Sequence, residues 1–448
     1  MNPFMIPWLQ LAVLLPLVGA VPVLMSRSSQ VASRWTLAFS GLAFVCAFMA
    51  WLGFYTGHPD ASLWGILSVD ELSAPLVPAV ALLHFFTALM TARIRERQFS
   101  FVGLLVGESI KLATFGCTGP TLIIALLALG VVPMFVELRM RGKSTRVFSI
   151  HMLVFITLLV IGYLTNEVGN RSLASAMLLI AILVRCGAVP LHTWVVDLFE
   201  NASFGTALMM ITPLTGVYAA VRLVLPNAED WVLQSIGILS LITAVYTAGL
   251  AVVQEDTRRF FAYLFLSHAS LVLVGLELHT HLSLTGALCL WFSVMLSLGG
   301  FGLALRALEA RFGRLSLTRY HGLYDQSPGL ALAFMLMGLA AVGFPGTLGF
   351  ISAELLIDGA IEENLLLGLV ITLTTALNGI AIVRAYFLLF TGTTHQSTIP
   401  LGITTRERIA MISLIAIVLG GGLMPQPGVV TRHHAADEVL ALRLIVKE

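Results

Sequence analysis

Residues 178–200 read LLIAILVRCGAVPLHTWVVDLFE, and residues 336–359 read LMGLAAVGFPGTLGFISAELLIDG. Each stretch is apolar and long enough to cross a bilayer, for which about 20 residues suffice. Each is also interrupted at mid-length, by Gly187 and Pro190 in the first and by Gly343, Pro345 and Gly346 in the second. Proline removes a helix donor and glycine relaxes the backbone, so each break frees N–H and C=O groups. In hydrocarbon such groups are tolerated only inside protein or beside a water-filled cavity. A matched pair of interrupted spans points to an inverted-repeat transporter with its ion path at the breaks. The competing reading is a pair of packing kinks. Arg185 and His192 beside the first break, and Thr347, Ser352 and Glu354 beside the second, favour the ion path.

The composition agrees. Of 448 residues, 58% are apolar and 11% charged, and the mean hydropathy is +0.94. A soluble domain carries about 25% charged residues, so a water-soluble enzyme is excluded. The length accommodates roughly fourteen short-connected spans, and an all-α polytopic membrane protein is expected. A formal net charge of +1 gives no sign of nucleic-acid binding. Cys46, Cys117, Cys186 and Cys289 lie scattered through apolar runs, without disulfide or metal spacing. No metal site is predicted, and no nucleotide, haem or iron–sulfur motif is present, so no cofactor is expected.

The first apolar run reads as a retained helix, because its first basic residue, Arg27, follows it. Further spans are expected near 33–57, 70–92, 99–117, 119–138, 147–165, 173–200, 203–224, 231–253, 258–276, 283–306, 329–358, 364–390 and 406–424. Arg93, Arg95 and Arg97, then Arg139, Arg141, Lys143 and Arg146, fall in loops after odd-numbered spans. Loops after even-numbered spans hold only Arg171 and Arg222. The positive-inside rule then places the N-terminus outside, with the chain in a bacterial-type inner membrane. The tail after Pro427, with Arg432, Arg443 and Lys447, fits that orientation poorly and is expected to be a short surface helix. Four regions follow: spans 1–3 in residues 1–98, a first repeat in 99–225, a second in 226–392, and the last span with its tail in 393–448.

Four motifs carry a resemblance. Val189-Pro190-Leu191-His192-Thr193-Trp194 with Asp197, Thr215-Gly216-Val217-Tyr218 through Arg222, Glu255-Asp256-Thr257-Arg258-Arg259 through Ser267-His268, and His321-Gly322-Leu323 followed by Phe344-Pro345-Gly346-Thr347 occur in that order. In order and spacing they resemble the antiporter-like family. That family holds the proton-pumping membrane subunits of respiratory complex I, the large subunits of Mrp-type sodium/proton antiporters, and the membrane partner of DAB-type inorganic-carbon uptake systems. The M-type complex I subunit is the most similar in flavour. The resemblance implies fourteen helices, two inverted five-helix repeats, and discontinuous seventh and twelfth helices.

It also exposes departures. The family's proton path uses a glutamate in span 5, lysines in spans 7 and 8, and a lysine or glutamate in span 12. Those positions fall here at Ala128, Arg185, Leu214 and Ala353, with Glu354 next to the last, and a span-11 histidine falls at Ser293. Arginine keeps its proton in proteins where a buried lysine can shed it, so Arg185 suits gating better than relay. Glu108 and Lys111, three apart in span 4, are either a self-neutralised packing pair or substitutes for the missing groups. Glu137 is expected at the interface beside Arg139 and Arg141. Asp256 is expected to pair with Arg258 and Arg259. Gly299, Gly300 and Gly302 are expected to allow close helix packing.

The expected function is translocation of protons, or another cation such as sodium, by a membrane subunit that works with other membrane and peripheral subunits. Arg185, His192, His268 and Glu354 would form the polar axis, with Glu108 and Lys111 contributing. Any oxidoreductase activity would belong to the assembly. The alternatives are a DAB-like subunit that couples proton entry to a soluble zinc partner, and a degenerate scaffold with a sealed interior.

Overall fold

The structure is a computed structural model that describes residues 6–57, 65–91, 99–226, 228–278, 280–392 and 402–447. Arg93, Arg95 and Arg97, and the expected boundaries at 98 and 393, lie outside them. The chain is 79% helical, with no strand among the described residues. Among the described residues, nine helices are long and apolar enough to cross a membrane, or ten if one bent pair counts as a single span.

In chain order, α1 (Trp8–Met25), α2 (Ser29–Tyr55), α3 (Leu76–Leu89) and α4 (Phe101–Phe115) come first. α5 (Pro120–Leu129) and α6 (Val132–Met140) are two pieces of one apolar stretch, separated at Gly130 and Val131, with Pro133 in the first turn of α6. α7 (Arg146–Glu167) and α8 (Arg171–Cys186) follow, then α9 (Thr193–Asn201), α10 (Phe204–Ile211), α11 (Thr215–Ala219) and a π-helical turn, Ala220–Val224. The rest comprises α12 (Asp230–Val253), α13 (Thr257–Glu277), α14 (His281–Phe312), α15 (Pro328–Ala341), α16 (Leu348–Glu363), α17 (Leu365–Phe390), α18 (Thr405–Leu423) and α19 (Gln426–Lys447).

The chain divides into two compact units. Unit 1 comprises Met1–Ile182 and Asn201–Asn227; unit 2 comprises Leu183–Glu200 and Ala228–Glu448. In unit 1, α4 packs against α1, α2, α3 and α6. In unit 2, α14 is the central element and packs against α13, α15, α16, α18 and α19.

Three expectations are corrected. The expected span at 203–224 is present, as Phe204–Val224, but it is broken into pieces and is not one continuous helix. Pro213 has no N–H to give, and Leu214 takes a left-handed φ of 53° between α10 and α11, a conformation costly for a residue with a Cβ. Asp256 does not pair with its neighbouring arginines. Its side chain caps α13 by accepting from the N–H groups of Arg258 and Arg259, as a short carboxylate does at a helix start. Arg258 instead pairs with Glu309 through Nε (2.6 Å) and Nη2 (2.5 Å), and its Nη1 donates to the Phe199 carbonyl at 2.8 Å. The tail helix is not short. α19 has 22 residues, turns by 76° from α18, and buries both Arg432 and Arg443.

Small residues set the tightest approach in unit 2. A Cβ added at Gly286 of α14 would lie 2.5 Å from the Leu356 backbone N, and one at Gly359 of α16 2.5 Å from the Ser283 N. Gly300 likewise meets Met337, at 2.3 Å. Without a hydrophobic force between helices in lipid, such close backbone approach supplies the dispersion contacts that hold them. Gly286→Ala should therefore lower stability by about 1–3 kcal/mol through overpacking. Gly249→Ala, with nothing within 4 Å, should be neutral or stabilising by up to about 1 kcal/mol. Thermal unfolding in detergent compares the two; equal effects would remove the packing argument.

Candidate functional site

The first interruption lies in unit 2. α8 ends at Cys186, and Gly187 turns the chain with a φ of 72°, which a residue lacking Cβ adopts without penalty. The freed backbone groups find partners locally. The Ala188 N–H donates to the Leu183 carbonyl (2.9 Å), and the Leu191 N–H to the Ala188 carbonyl (2.6 Å). Val189 N–H donates to Thr243 Oγ1 on α12 at 2.9 Å. Trp194 Nε1 reaches back to the Val184 carbonyl at 2.9 Å. That bond places the indole 5.6 Å from the buried Arg185 guanidinium, a cation–π arrangement. His192 is buried beside Tyr246 and Tyr263, with ring centroids 5.8 and 6.2 Å away.

The second interruption follows the same chemistry. Gly343 and Gly346 take φ values of 79° and 84°. A Cβ at Gly349 would fall 1.9 Å from the Ala340 carbonyl oxygen, so only glycine lets α16 start so close to the end of α15. His268, buried in α13, bonds through Nδ1 to the Leu264 carbonyl at 2.9 Å; its Nε2 makes no hydrogen bond within the protein, and the Ala341 carbonyl at the end of α15 lies close to the ring. Beside it, Ser267 Oγ donates to the Ala244 carbonyl (2.9 Å) and accepts from Asn378 Nδ2 of α17 (2.9 Å). Asn378 Oδ1, Ser293 Oγ and Ser240 Oγ are buried without a protein partner, a state that native interiors correct with ordered water.

Arg185 and His192 thus flank the first break, and His268 abuts the second. Glu354 stands apart from these three: it is exposed, on the outer face of α16.

Unit 1 holds a second polar cluster. Glu108 is fully buried, and its Oε1 accepts from Ser40 Oγ of α2 at 2.9 Å; its Oε2 has no hydrogen-bond partner in the protein. Lys111 Nζ donates to the Gly107 carbonyl at 3.1 Å. Glu137 is buried within the protein, where it serves the start of α10. Its Oε1 accepts from the Ser203 N–H (3.0 Å) and from Thr206 Oγ1 (2.7 Å). A carboxylate there satisfies an orphan donor and favours the positive helix end. His84, fully buried in α3, bonds through Nδ1 to the Val80 carbonyl at 2.8 Å. His84, Lys111, Glu137 and Thr206 line one cavity of about 30 Å³, room for about one water molecule.

Sequence reading missed two members of this cluster. His84 sits alone in an apolar run, where a histidine is ordinarily a core residue. Glu137 was masked by the arginines that follow it. The signal that would have found it is its spacing: four residues after Pro133 it lies one helical turn into α6, on the Pro133 side.

Residues 124–378 match the family described as "NADH:quinone oxidoreductase/Mrp antiporter, TM". The chain belongs to this family. It is 27% identical over 393 residues to NAD(P)H-quinone oxidoreductase chain 4 1 of Synechococcus elongatus, covering 77% of this chain and 73% of that one. It is 24% identical to NADH-quinone oxidoreductase subunit M of Rhodobacter capsulatus, covering 93% of each. Among solved structures, a chain of respiratory complex I from Thermus thermophilus superposes with a TM-score of 0.85 at 22% identity, covering 97% of this chain and 99% of that one. A chain of the Mrp complex from Dietzia sp. gives 0.85 at 16% identity with the same coverage. The relatives are subunits of multisubunit membrane complexes.

Because Glu137 is the acceptor for two α10 donors, Glu137→Ala should destabilise by about 1–3 kcal/mol, the cost of leaving buried partners unmet. Glu137→Gln keeps a carbonyl acceptor and should cost less. Thermal melting of the two purified variants measures the order; a reversed order would show that Glu137 does not hold α10.

Proposed function

We propose that this chain is a proton- or cation-translocating subunit of a larger membrane assembly, with an ion-handling cluster in each unit. The observation that carries the reading is the set of buried ionisable side chains in apolar helices: His84, Glu108, Lys111 and Glu137 in unit 1, and Arg185, His192 and His268 in unit 2. Charged groups within a bilayer cost about 2.5–3.5 kcal/mol each on insertion scales, so such a concentration is kept for function. Family membership and the names of the relatives support the same reading.

In this proposal Glu137 takes the part left open by Ala128, and Lys111 the part left open by Leu214. Glu108 and Lys111, three apart on one helix, act on each other's charge through space. Arg185 supplies a fixed positive field, while His192 and His268 pass protons, since imidazole gains and loses one near neutral pH. The arrangement of fourteen helices in two inverted five-helix repeats, the N-terminus outside, and placement in an inner membrane belong to the same proposal. Partner subunits carry any redox chemistry.

One set of contacts favours a second reading, a sealed scaffold. Leu266 and Val195 close on Gly187, to 2.8 and 3.1 Å of where its Cβ would stand, and Trp194 covers Arg185. Proton flux in proteoliposomes holding the complete assembly separates the two. Conduction predicts that Glu137→Gln and His268→Ala each cut flux by at least about a hundredfold, the lower end of what a positioned acid–base group contributes (about 10²–10⁴), while the assembly still forms. Unchanged flux in both variants leaves the scaffold. Glu354→Gln is the finer measurement: reduced flux places the exposed carboxylate at the end of the path, and wild-type flux removes it.

A further inference from the structure

The described residues hold one group of three metal-competent side chains, and it lies outside both polar clusters. His281 opens α14, while His433 and Asp437 sit four apart on α19, so they share one helix face. One ligand atom from each residue falls within 4.8 Å of the others. His281 Nε2 is 2.5 Å from Asp437 Oδ1, and the His281 and His433 ring centroids are 4.0 Å apart. Sequence reading found no metal site because the partners are 156 positions apart, and no short motif joins them.

We propose that His281, His433 and Asp437 bind a divalent transition-metal ion, with zinc as the fitting case. Two imidazoles and a carboxylate are the donor set that zinc accepts from three protein groups, with a fourth position left to water. His433 and Asp437 are exposed, so water reaches that position. Around an ion the ligand atoms would sit about 3.3 Å apart, the edge of a tetrahedron with bonds of about 2.0 Å. His281 is also oriented from behind. Its Nδ1 lies 3.4 Å from Thr285 Oγ1, so Nε2 points at the cluster, as outer hydrogen bonds fix the ring of a metal-ligating histidine. Magnesium, which demands oxygen ligands and octahedral geometry, does not suit this set.

The site ties α19 to the start of α14. Elsewhere along its length α19 is held by Arg443, whose Nη2 donates to the Leu276 carbonyl at 3.1 Å, and by the buried Arg432. The ion adds a second fastening, near the middle of α19. Its occupancy sets how firmly the C-terminal helix is docked, independently of ion conduction.

Isothermal titration of the purified full-length chain in detergent with zinc chloride tests this. The expected result is one zinc per chain, with a rise in melting temperature and protection of α19 from limited proteolysis. His433→Ala and Asp437→Asn should each weaken binding by at least about tenfold. Asp437→His keeps a ligand and should retain it, and His434→Ala should bind as wild type. Magnesium chloride should produce no heat of binding. The proposal is overturned if the wild-type chain takes up no zinc, or if zinc binds equally to His433→Ala, Asp437→Asn and wild type. Gel filtration and circular dichroism of each variant show that it is folded, so lost binding is read at the site itself.

Discussion

A backbone N–H or C=O inside a lipid bilayer has no water to bond, and every feature of this chain answers to that constraint. The long helices satisfy it by repetition. The interruptions satisfy it one group at a time: the turn after α8 uses its own carbonyls, the Trp194 indole and a threonine borrowed from α12. Pro190, Phe344 and Pro345 are themselves exposed at the breaks, while Arg185, His192 and His268 are buried in unit 2.

The same constraint explains the chemistry of unit 1. Buried Glu137 supplies the acceptor that lipid does not, for the N–H of Ser203, the N-cap of α10, and for the Thr206 hydroxyl. Once a carboxylate stands there, a lysine and a histidine on adjoining helices share its cavity.

Much of this was legible in residue types. Gly187, Gly343 and Gly346 take left-handed φ values that mark them as turn residues in otherwise helical stretches, and Pro190 and Pro345 stand beside them. Pro213 carried the same message for the stretch 203–224, but its weight was lost in a run that is otherwise apolar and helix-forming. Asp256 looked like a charge partner for two arginines, yet its position at a helix start makes it a cap, and the arginines reach partners 51 and 59 residues away instead. Glu354 lay next to a break in sequence yet is exposed, because one step along a helix turns a side chain by about 100°.

Sequence alone determined that this chain lives in a membrane, is built of helices, and interrupts some of them at glycine and proline, because hydropathy and backbone freedom are properties of single residues and short runs. Only the tertiary structure decided which charges are buried together. It set His84 and Glu137 around one cavity, left Glu354 exposed, and laid His433 and Asp437 of the last helix against His281. Contacts between residues far apart in the chain depend on how helix faces are rotated against each other, and no local pattern encodes that rotation.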